Sequence, residues 1–107
     1  MVDKLWKAFE RWLAAFLGGR RVPITGRARG DAPDIAHPTL SIEAKVRKGG
    51  VAQYIHDALE QALAADPGKK KLSIAVFHQT GTPHSKDIVC AYLYDYREWH
   101  DPRGQAD

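Results

Sequence analysis

The sequence predicts an α/β fold in which a small mixed β-sheet is flanked by helices, in the chain order α-β-β-β-α-β-β. Three observations support this prediction. Helical patterns occupy residues 3–17 and 51–65, and β-type patterns occupy residues 20–25, the segment around Asp34, and residues 40–46, 71–78 and 87–94. The third observation is the length, because 107 residues bury one core but not two. Residues 1–107 are therefore expected to form a single domain with a flexible tail at residues 100–107.

The first helix, residues 3–17, is predicted from apolar residues that recur every three or four positions. This face consists of Leu5, Phe9, Trp12, Leu13 and Phe16. Gly18 and Gly19 supply the expected helix end. Glu10 lies about 100° around the helix from Phe9, near the edge of the apolar face. Its carboxylate can therefore reach a site beside the core, and an exposed surface position is the alternative.

The segment at residues 40–46 is predicted to be a strand with functional polar side chains on one face and apolar side chains of the core on the other. Its side chains alternate, so Glu43 and Lys45 share one face while Ile42, Ala44 and Val46 point to the other. Asp34 lies on the adjoining β segment. Two carboxylates and an ammonium on neighbouring segments are typical of a metal-dependent phosphodiesterase site, because a hard cation such as Mg²⁺ prefers oxygen ligands.

The second half of the chain is predicted to contain a helix and a long hairpin. The helix at residues 51–65 is expected to end at Asp66-Pro67-Gly68. Strands at residues 71–78 and 87–94 are joined by a Gly- and Pro-containing connection at residues 81–85. The second of these strands is apolar on both faces, which predicts cover on both sides or partial burial by a second subunit.

Composition and charge narrow the possible classes of function. No apolar run approaches the ~20 residues that cross a bilayer, and a lone cysteine, Cys90, forms no internal disulfide. We expect a soluble protein of the reducing cytoplasm without membrane contact. The phosphate-binding Gly-rich motifs of nucleotide-binding proteins do not occur. Basic residues cluster around the carboxylates, which favours a polyanionic partner over a merely solvated surface; they are Arg20, Arg21, Arg27, Arg29, Lys45, Arg47 and Lys48.

The five histidines offer no sequence spacing that predicts a metal site. His37, His56, His78, His84 and His100 contain no pair four residues apart and accompany no cysteine cluster. A structural zinc site is therefore not expected. His78 ends a predicted strand, where it can face a site or be hydrogen-bonded or solvated, and the second alternative is the more frequent one.

Pro33-Asp34 followed by Glu43-Ala44-Lys45 resembles the PD-(D/E)xK signature of the restriction-endonuclease-like nucleases. The resemblance extends to Glu10 on the first helix, the basic Gly/Arg segment before Asp34, and Gln61 on the helix after Lys45. This order is similar to that of archaeal-type Holliday junction resolvases and their phage relatives, over about residues 7 to 94. The resemblance implies a restriction-endonuclease-like fold and a metal-dependent, structure-specific DNA endonuclease.

The resemblance also assigns roles to individual residues. Asp34 and Glu43 would coordinate Mg²⁺ or Mn²⁺, the Ala44 carbonyl would add a ligand, and Lys45 would orient water or stabilise phosphorane charge. Glu10 would act as the helix-borne acidic residue near the metal. Gln61 would steady Lys45 or a phosphate, with surface solvation as the alternative. The expected DNA contacts are Arg20, Arg21, Thr25, Arg27, Arg29, Arg47 and Lys48, although β propensity alone also explains Thr25.

A junction-resolving role further implies a homodimer, because one small chain carries one site and a junction requires two incisions. The aromatic first helix or the apolar final strand could supply its interface. The resemblance suggests phage recombination or DNA packaging, in a bacterial cell or phage-infected host. Two alternatives remain open at this stage: a restriction- or repair-type nuclease with the same site, and a catalytically inactive DNA-binding module. A non-nucleic-acid enzyme is a third possibility.

Overall fold

The computed structural model describes residues 2–22 and 33–100, in which the helices are α1 (Val2–Leu17), α2 (Gln53–Ala64) and α3 (Leu93–Trp99). The strands are β1 (Arg20–Arg21), β2 (Ile35–Ala36), β3 (Ala75–Phe77) and β4 (Ile88–Cys90). They form two small antiparallel sheets, β1-β2 and β3-β4. The chain is thus a small mixed α/β protein, and the predicted class is confirmed at that level. It divides into two compact units, Met1–Lys48 and Gly49–Asp107.

Helix α1 packs its C-terminal half against β1 and β2. Glu10, Leu13 and Ala14 are buried, whereas Leu5 and Trp12 of the predicted apolar face are 63% and 42% exposed. The helix is therefore placed as predicted, but its buried stripe is rotated toward Glu10. The exposed Trp12 ring instead stacks on Phe16 along the helix surface, with ring centroids 4.8 Å apart.

Two consecutive glycines end α1, as the sequence predicts. Gly18 has a left-handed backbone (φ 80°), and the Gly19 N–H donates to the Ala14 carbonyl at 2.7 Å. His37 caps the same end. Because its Nδ1 accepts from the backbone N–H groups of Thr39 and Leu40, its Nε2 must donate to the Leu17 carbonyl, at 2.9 Å. The helix end and the segment after β2 are thereby joined.

Gly19 is expected to tolerate no side chain, because the helix end lies directly on β2. A Cβ at this position would meet the Ala36 carbonyl oxygen at 2.6 Å and Ile35 Cγ2 at 2.8 Å. We predict that Gly19→Ala destabilises the protein by about 2 kcal/mol or more, as overpacking against backbone does. Urea unfolding followed by circular dichroism measures the loss. Gly50→Ala is the matched control, since its Cβ meets nothing within 4 Å; equal stability of the two variants would contradict the prediction.

The segment that carries Asp34 makes backbone hydrogen bonds on both of its sides, to β1 and Val22 and to Ile42. Arg20 pairs with Ala36 and Arg21 with Ile35, and the Val22 N–H extends this ladder by donating to the Asp34 carbonyl at 2.9 Å. On the other side the Asp34 N–H donates to the Ile42 carbonyl at 3.1 Å. Both backbone groups of Asp34 are therefore satisfied, and Ile35 beside it is fully buried.

The prediction of a regular strand at residues 40–46 is wrong. Within the described residues the segment is reduced to one antiparallel bridge between Ile42 and Ile35. The alternation of its side chains is present only as far as Lys45, because Glu43 and Lys45 are exposed while Ile42 and Ala44 are half-buried. Val46, predicted on the core face, is 45% exposed, so the prediction is wrong at this residue. The short partner β2 explains the difference, since two residues of strand offer few backbone groups for a longer ladder. Of the predicted strand at residues 20–25, Pro23 to Thr25 lie outside the described residues.

In the second unit, α2 packs against β3. The predicted hairpin is confirmed, but its first strand covers only Ala75–Phe77 of the predicted residues 71–78. Ala75 pairs with Cys90, Val76 with Val89 and Phe77 with Ile88. A short 3-10 helix, His84–Lys86, lies in the connection. Tyr54 of α2 packs edge-on against Phe77, with ring centroids 5.3 Å apart.

The final predicted strand, residues 87–94, is wrong beyond Cys90. The chain leaves the sheet there, and α3 begins at Leu93. Its side chains also satisfy a helical spacing, because Leu93 and Tyr96 lie three residues apart and line the same groove. Asp95 in the first turn stabilises the helix N-terminus electrostatically. No helix within residues 2–22 and 33–100 is both long and apolar enough to cross a membrane.

Tyr92, just before α3, connects this helix to α2. Its hydroxyl donates to Glu60 Oε2 at 3.0 Å, so His56 Nδ1, 3.1 Å from the same oxygen, acts as the second partner. Partial burial and the neighbouring Glu60 carboxylate raise the pKa of the Tyr92 phenol. A raised folded-state pKa favours the neutral phenol, and this contribution to stability is complete below the unfolded pKa and is lost as the pH rises through the folded pKa.

We therefore predict that Tyr92 ionises above the ordinary tyrosine pKa of about 10. The ultraviolet difference between wild type and Tyr92→Phe isolates its titration from that of the other tyrosines. Glu60→Gln should lower the midpoint, because it removes the adjacent negative charge. A Tyr92 titration at the ordinary pKa, or one unchanged by Glu60→Gln, would contradict the prediction.

Candidate functional site

A cleft of about 300 Å³ opens in the first unit between α1 and the segments around Asp34 and Glu43. It is lined by Trp6, Glu10, Asp34, Glu43, Ala44, Lys45 and Val46. Residues separated by more than thirty positions in sequence therefore meet at one depression. The cleft brings together the acidic residues, the Ala44 backbone and the lysine that the sequence assigned to a metal site.

Asp34 is the most firmly positioned carboxylate of the cleft. It is 3% exposed, and the Ala44 N–H donates to its Oδ2 at 2.7 Å. The same residue is held by backbone hydrogen bonds to Val22 and Ile42. The fold therefore fixes the Asp34 carboxylate against the Ala44 backbone beside the cleft.

Glu10 is buried as well, at 2% exposure, and it approaches the cleft from α1. Its Oε1 accepts from Arg21 Nε at 2.7 Å, and the Arg21 side chain is itself 21% exposed. The Arg21 guanidinium also lies 5.9 Å from the Trp6 ring centroid, within the range of a cation–π contact. This ion pair compensates the charge that α1 buries. The sequence assigned Arg21 to DNA, and the structure shows a second role for it.

Glu43 and Lys45 form the open rim of the cleft. Their side chains are 60% and 77% exposed, and Lys45 Nζ lies 3.4 Å from Glu43 Oε2. Residues two apart on an extended segment point to the same side, which accounts for this contact. An exposed pair of this kind adds little stability, so both side chains are available to a ligand that enters the cleft.

The donor atoms of the cleft suit a hard divalent cation. Carboxylate and backbone carbonyl oxygens are the ligands that Mg²⁺ prefers, with waters completing its shell. The carboxylates of Glu10, Asp34 and Glu43 do not converge within 4.8 Å of one another in the described structure. Asp34 and the Ala44 backbone are therefore the fixed part of the site, and the exposed Glu43 is the part that can adjust.

The predicted DNA-contacting residues are distributed unevenly. Arg20, Arg47 and Lys48 belong to the first unit and are exposed, as a phosphate contact requires. Thr25, Arg27 and Arg29 lie outside the described residues. Gln61 is exposed on α2 in the second unit, and its assignment to the site stays a prediction.

A cluster that sequence reasoning missed lies in the hairpin of the second unit. His78, His84 and Asp87 are the one set of three His, Cys, Asp or Glu residues, within residues 2–22 and 33–100, whose ligating atoms lie within 4.8 Å of one another. The sequence spacing of the histidines gave no reason to expect a metal site. The register of the hairpin, which spacing does not show, brings these side chains together. The signal available in the sequence was the position of His78 and Asp87 at the two inner ends of a predicted hairpin.

Comparisons with known proteins add no further constraint on this site. No family model matches the chain, and neither a curated protein nor a solved structure matches it. The chemistry of the cleft is therefore what indicates a function for this protein.

Proposed function

We propose that this protein is a metal-dependent DNA endonuclease of PD-(D/E)xK type with a restriction-endonuclease-like fold. The observation that carries the proposal is the cleft of the first unit, in which buried Asp34 and Glu10 meet exposed Glu43 and Lys45. Carboxylate oxygens are the ligands that a hard divalent cation prefers. Asp34 presents such a group at this cleft, where the Ala44 N–H holds its Oδ2 at 2.7 Å.

The residues divide the work of phosphodiester hydrolysis according to their positions. Asp34, Glu43 and the Ala44 carbonyl would hold Mg²⁺ or Mn²⁺, which lowers the pKa of bound water and neutralises charge on the phosphoryl group. Lys45, whose ammonium is solvent-accessible, orients the attacking water or stabilises the negative charge of the transition state. Glu10, which Arg21 holds at 2.7 Å, would act on the metal through water.

The surface around the cleft supports an anionic substrate. The chain carries a formal net charge of +3, and exposed Arg20, Arg47 and Lys48 belong to the same unit as the cleft. Such groups bind the phosphate backbone without reading bases. Structure-specific recognition is therefore proposed rather than sequence-specific recognition.

The substrate proposed is a branched DNA, in particular a four-way junction. Symmetric resolution needs two incisions, so the active species is proposed to be a homodimer with one site per chain. The second unit offers an apolar groove of about 730 Å³ lined by Leu72, Ile74, Val89, Ala91, Leu93, Tyr96 and Trp99. Exposed Val89 and Trp99 in this groove favour it as the dimer contact. The proposed setting is DNA recombination in the cytoplasm of a bacterial or phage-infected cell.

An inactive DNA-binding module is the strongest alternative. A groove that only bound phosphates would be improved by removing its carboxylates, because like charges repel. The retention of Asp34, Glu43 and Lys45 around one cleft therefore favours turnover. A restriction- or repair-type nuclease would use the same site and would differ only in substrate.

The test is cleavage of end-labelled four-way junction, matched duplex and single-stranded DNA with Mg²⁺, Mn²⁺ or EDTA, with Lys45→Ala as the comparison. Paired, metal-dependent cuts confined to the junction are expected. Metal-dependent cutting of all three DNAs would keep the nuclease and reject branch specificity. Tight binding without cutting would reject the nuclease and support the inactive DNA-binding module.

A further inference from the structure

The hairpin of the second unit places a histidine and an aspartate directly opposite each other. Phe77 pairs with Ile88 at the inner end of the β3-β4 ladder, so the next residues in register are His78 and Asp87. Facing residues at the end of an antiparallel ladder have neighbouring side chains. His78 Nδ1 accordingly lies 2.7 Å from Asp87 Oδ1.

A second histidine reaches the same carboxylate through the 3-10 turn. His84 precedes Asp87 by three residues in the turn His84–Lys86, and side chains three residues apart eclipse in 3-10 geometry. His84 Nδ1 lies 2.9 Å from Asp87 Oδ2. The rings of His78 and His84 are 4.6 Å apart between centroids, so both imidazoles converge on one carboxylate.

The backbone around this cluster is tied by local hydrogen bonds. The Asp87 N–H donates to the His84 carbonyl and the Lys86 N–H donates to the Pro83 carbonyl, both at 3.0 Å. At the other end of the connection, the Thr82 hydroxyl donates to the Gln79 carbonyl at 2.7 Å. The loop therefore holds the three side chains together before any ligand is present, which lowers the entropy cost of binding.

We propose that His78, His84 and Asp87 form a binding site for a first-row divalent transition metal, with Zn²⁺ as the best-matched ion. Two imidazole nitrogens and one carboxylate oxygen are borderline ligands that suit Zn²⁺ and its neighbours better than Mg²⁺. The ion would replace the hydrogen bonds between the imidazole Nδ1 atoms and the carboxylate, and each neutral imidazole would then carry its proton on Nε2. This inference does not depend on the proposed nuclease activity of the first unit.

The distances are compatible with such an ion after a small adjustment. Ligand atoms of a tetrahedral zinc site lie about 3.4 Å apart, given metal–ligand distances of ~2.1 Å. The His78 contact with Oδ1 at 2.7 Å and the His84 contact with Oδ2 at 2.9 Å must therefore open by roughly 0.7 and 0.5 Å. The histidine that now contacts the other oxygen must also turn toward the ion. The side chains of His78 and His84 are 40% and 84% exposed, which leaves them room to move. Three protein ligands leave a fourth position for water or an incoming group.

Isothermal titration of the untagged full-length protein with ZnCl₂ at about pH 7.5 tests the site, because metal binding needs unprotonated imidazole. We expect one tight equivalent per chain. His84→Ala and Asp87→Asn should each weaken it by about 100-fold or more, since even outer-shell substitutions cost 10- to 100-fold. His100→Ala is the matched control and should bind like wild type. Zn²⁺ should also raise the thermal unfolding temperature of wild type but not of His84→Ala.

Two results would overturn the proposal. The first is Zn²⁺ binding to wild type that is no tighter than to a His78→Ala/His84→Ala double variant. The second is an unchanged thermal shift in Asp87→Asn, which would mean that the cluster acts only as a hydrogen-bonded clip of the hairpin. His84 is so exposed that its replacement should leave the fold intact, and circular dichroism of each variant checks this.

Discussion

Asp34→Asn is expected to abolish DNA cleavage while leaving junction binding nearly unchanged. The amide keeps the size of the carboxylate, and its oxygen can still accept from the Ala44 N–H that now bonds Oδ2 at 2.7 Å. It loses the negative charge that holds a divalent cation. Loss of a principal electrostatic group in an active site lowers rates by about 10²–10³-fold, and loss of the metal adds to this. Single-turnover cleavage of labelled junction and gel-shift affinity, measured together, give the two quantities.

The comparison for this result is Lys45→Ala, which removes another proposed catalytic group at an exposed position of the same cleft. The Lys45 side chain is 77% exposed, so its truncation should not alter folding, whereas Asp34 is buried among backbone hydrogen bonds. If both variants lose cleavage and both retain wild-type unfolding curves, the loss is chemical. An Asp34→Asn protein that cuts as fast as wild type would reject the proposed metal site.

The part of the site that could be predicted from sequence follows local periodicity. Glu43 and Lys45 were placed on one side of an extended segment by the two-residue alternation, and the structure exposes both without a regular strand. Val46, which the same alternation placed on the core face, is exposed as well. Glu10 was placed near the core by the helical period, and it is buried. Periodicity assigns a face to a side chain, and these assignments require no knowledge of distant contacts.

The parts that could not be predicted depend on pairing between distant segments. Arg21 was counted among the DNA contacts because its sequence neighbours are basic, but its partner Glu10 lies eleven positions away on another element. The histidine cluster was missed because His78 and Asp87 meet only through the register of the hairpin. Residues 91–94 were assigned to a strand because alternating apolar residues with aromatic side chains satisfy both the strand and the helix period over a short run.

The buried ion pair between Glu10 and Arg21 makes the second large prediction, which concerns stability. Arg21→Ala should destabilise the protein by about 3 kcal/mol, near the lower end for breaking a buried pair, because it leaves the Glu10 carboxylate without its partner in a site 2% exposed. Urea unfolding measures the change. Arg20→Ala is the matched control, since Arg20 is the adjacent arginine and is exposed. We expect its stability to stay within about 0.5 kcal/mol of wild type.

The same pair of variants separates the structural role of Arg21 from DNA binding. If the destabilisation arises from the uncompensated carboxylate, adding Glu10→Gln to Arg21→Ala should recover part of the lost stability, because a neutral amide costs less to bury than a charge. Arg20→Ala should instead weaken junction binding and reduce its dependence on salt by about one phosphate contact. An Arg21→Ala protein as stable as wild type but deficient in DNA binding would reverse these assignments. It would place Arg21 on the substrate and leave Glu10 to be compensated by the metal.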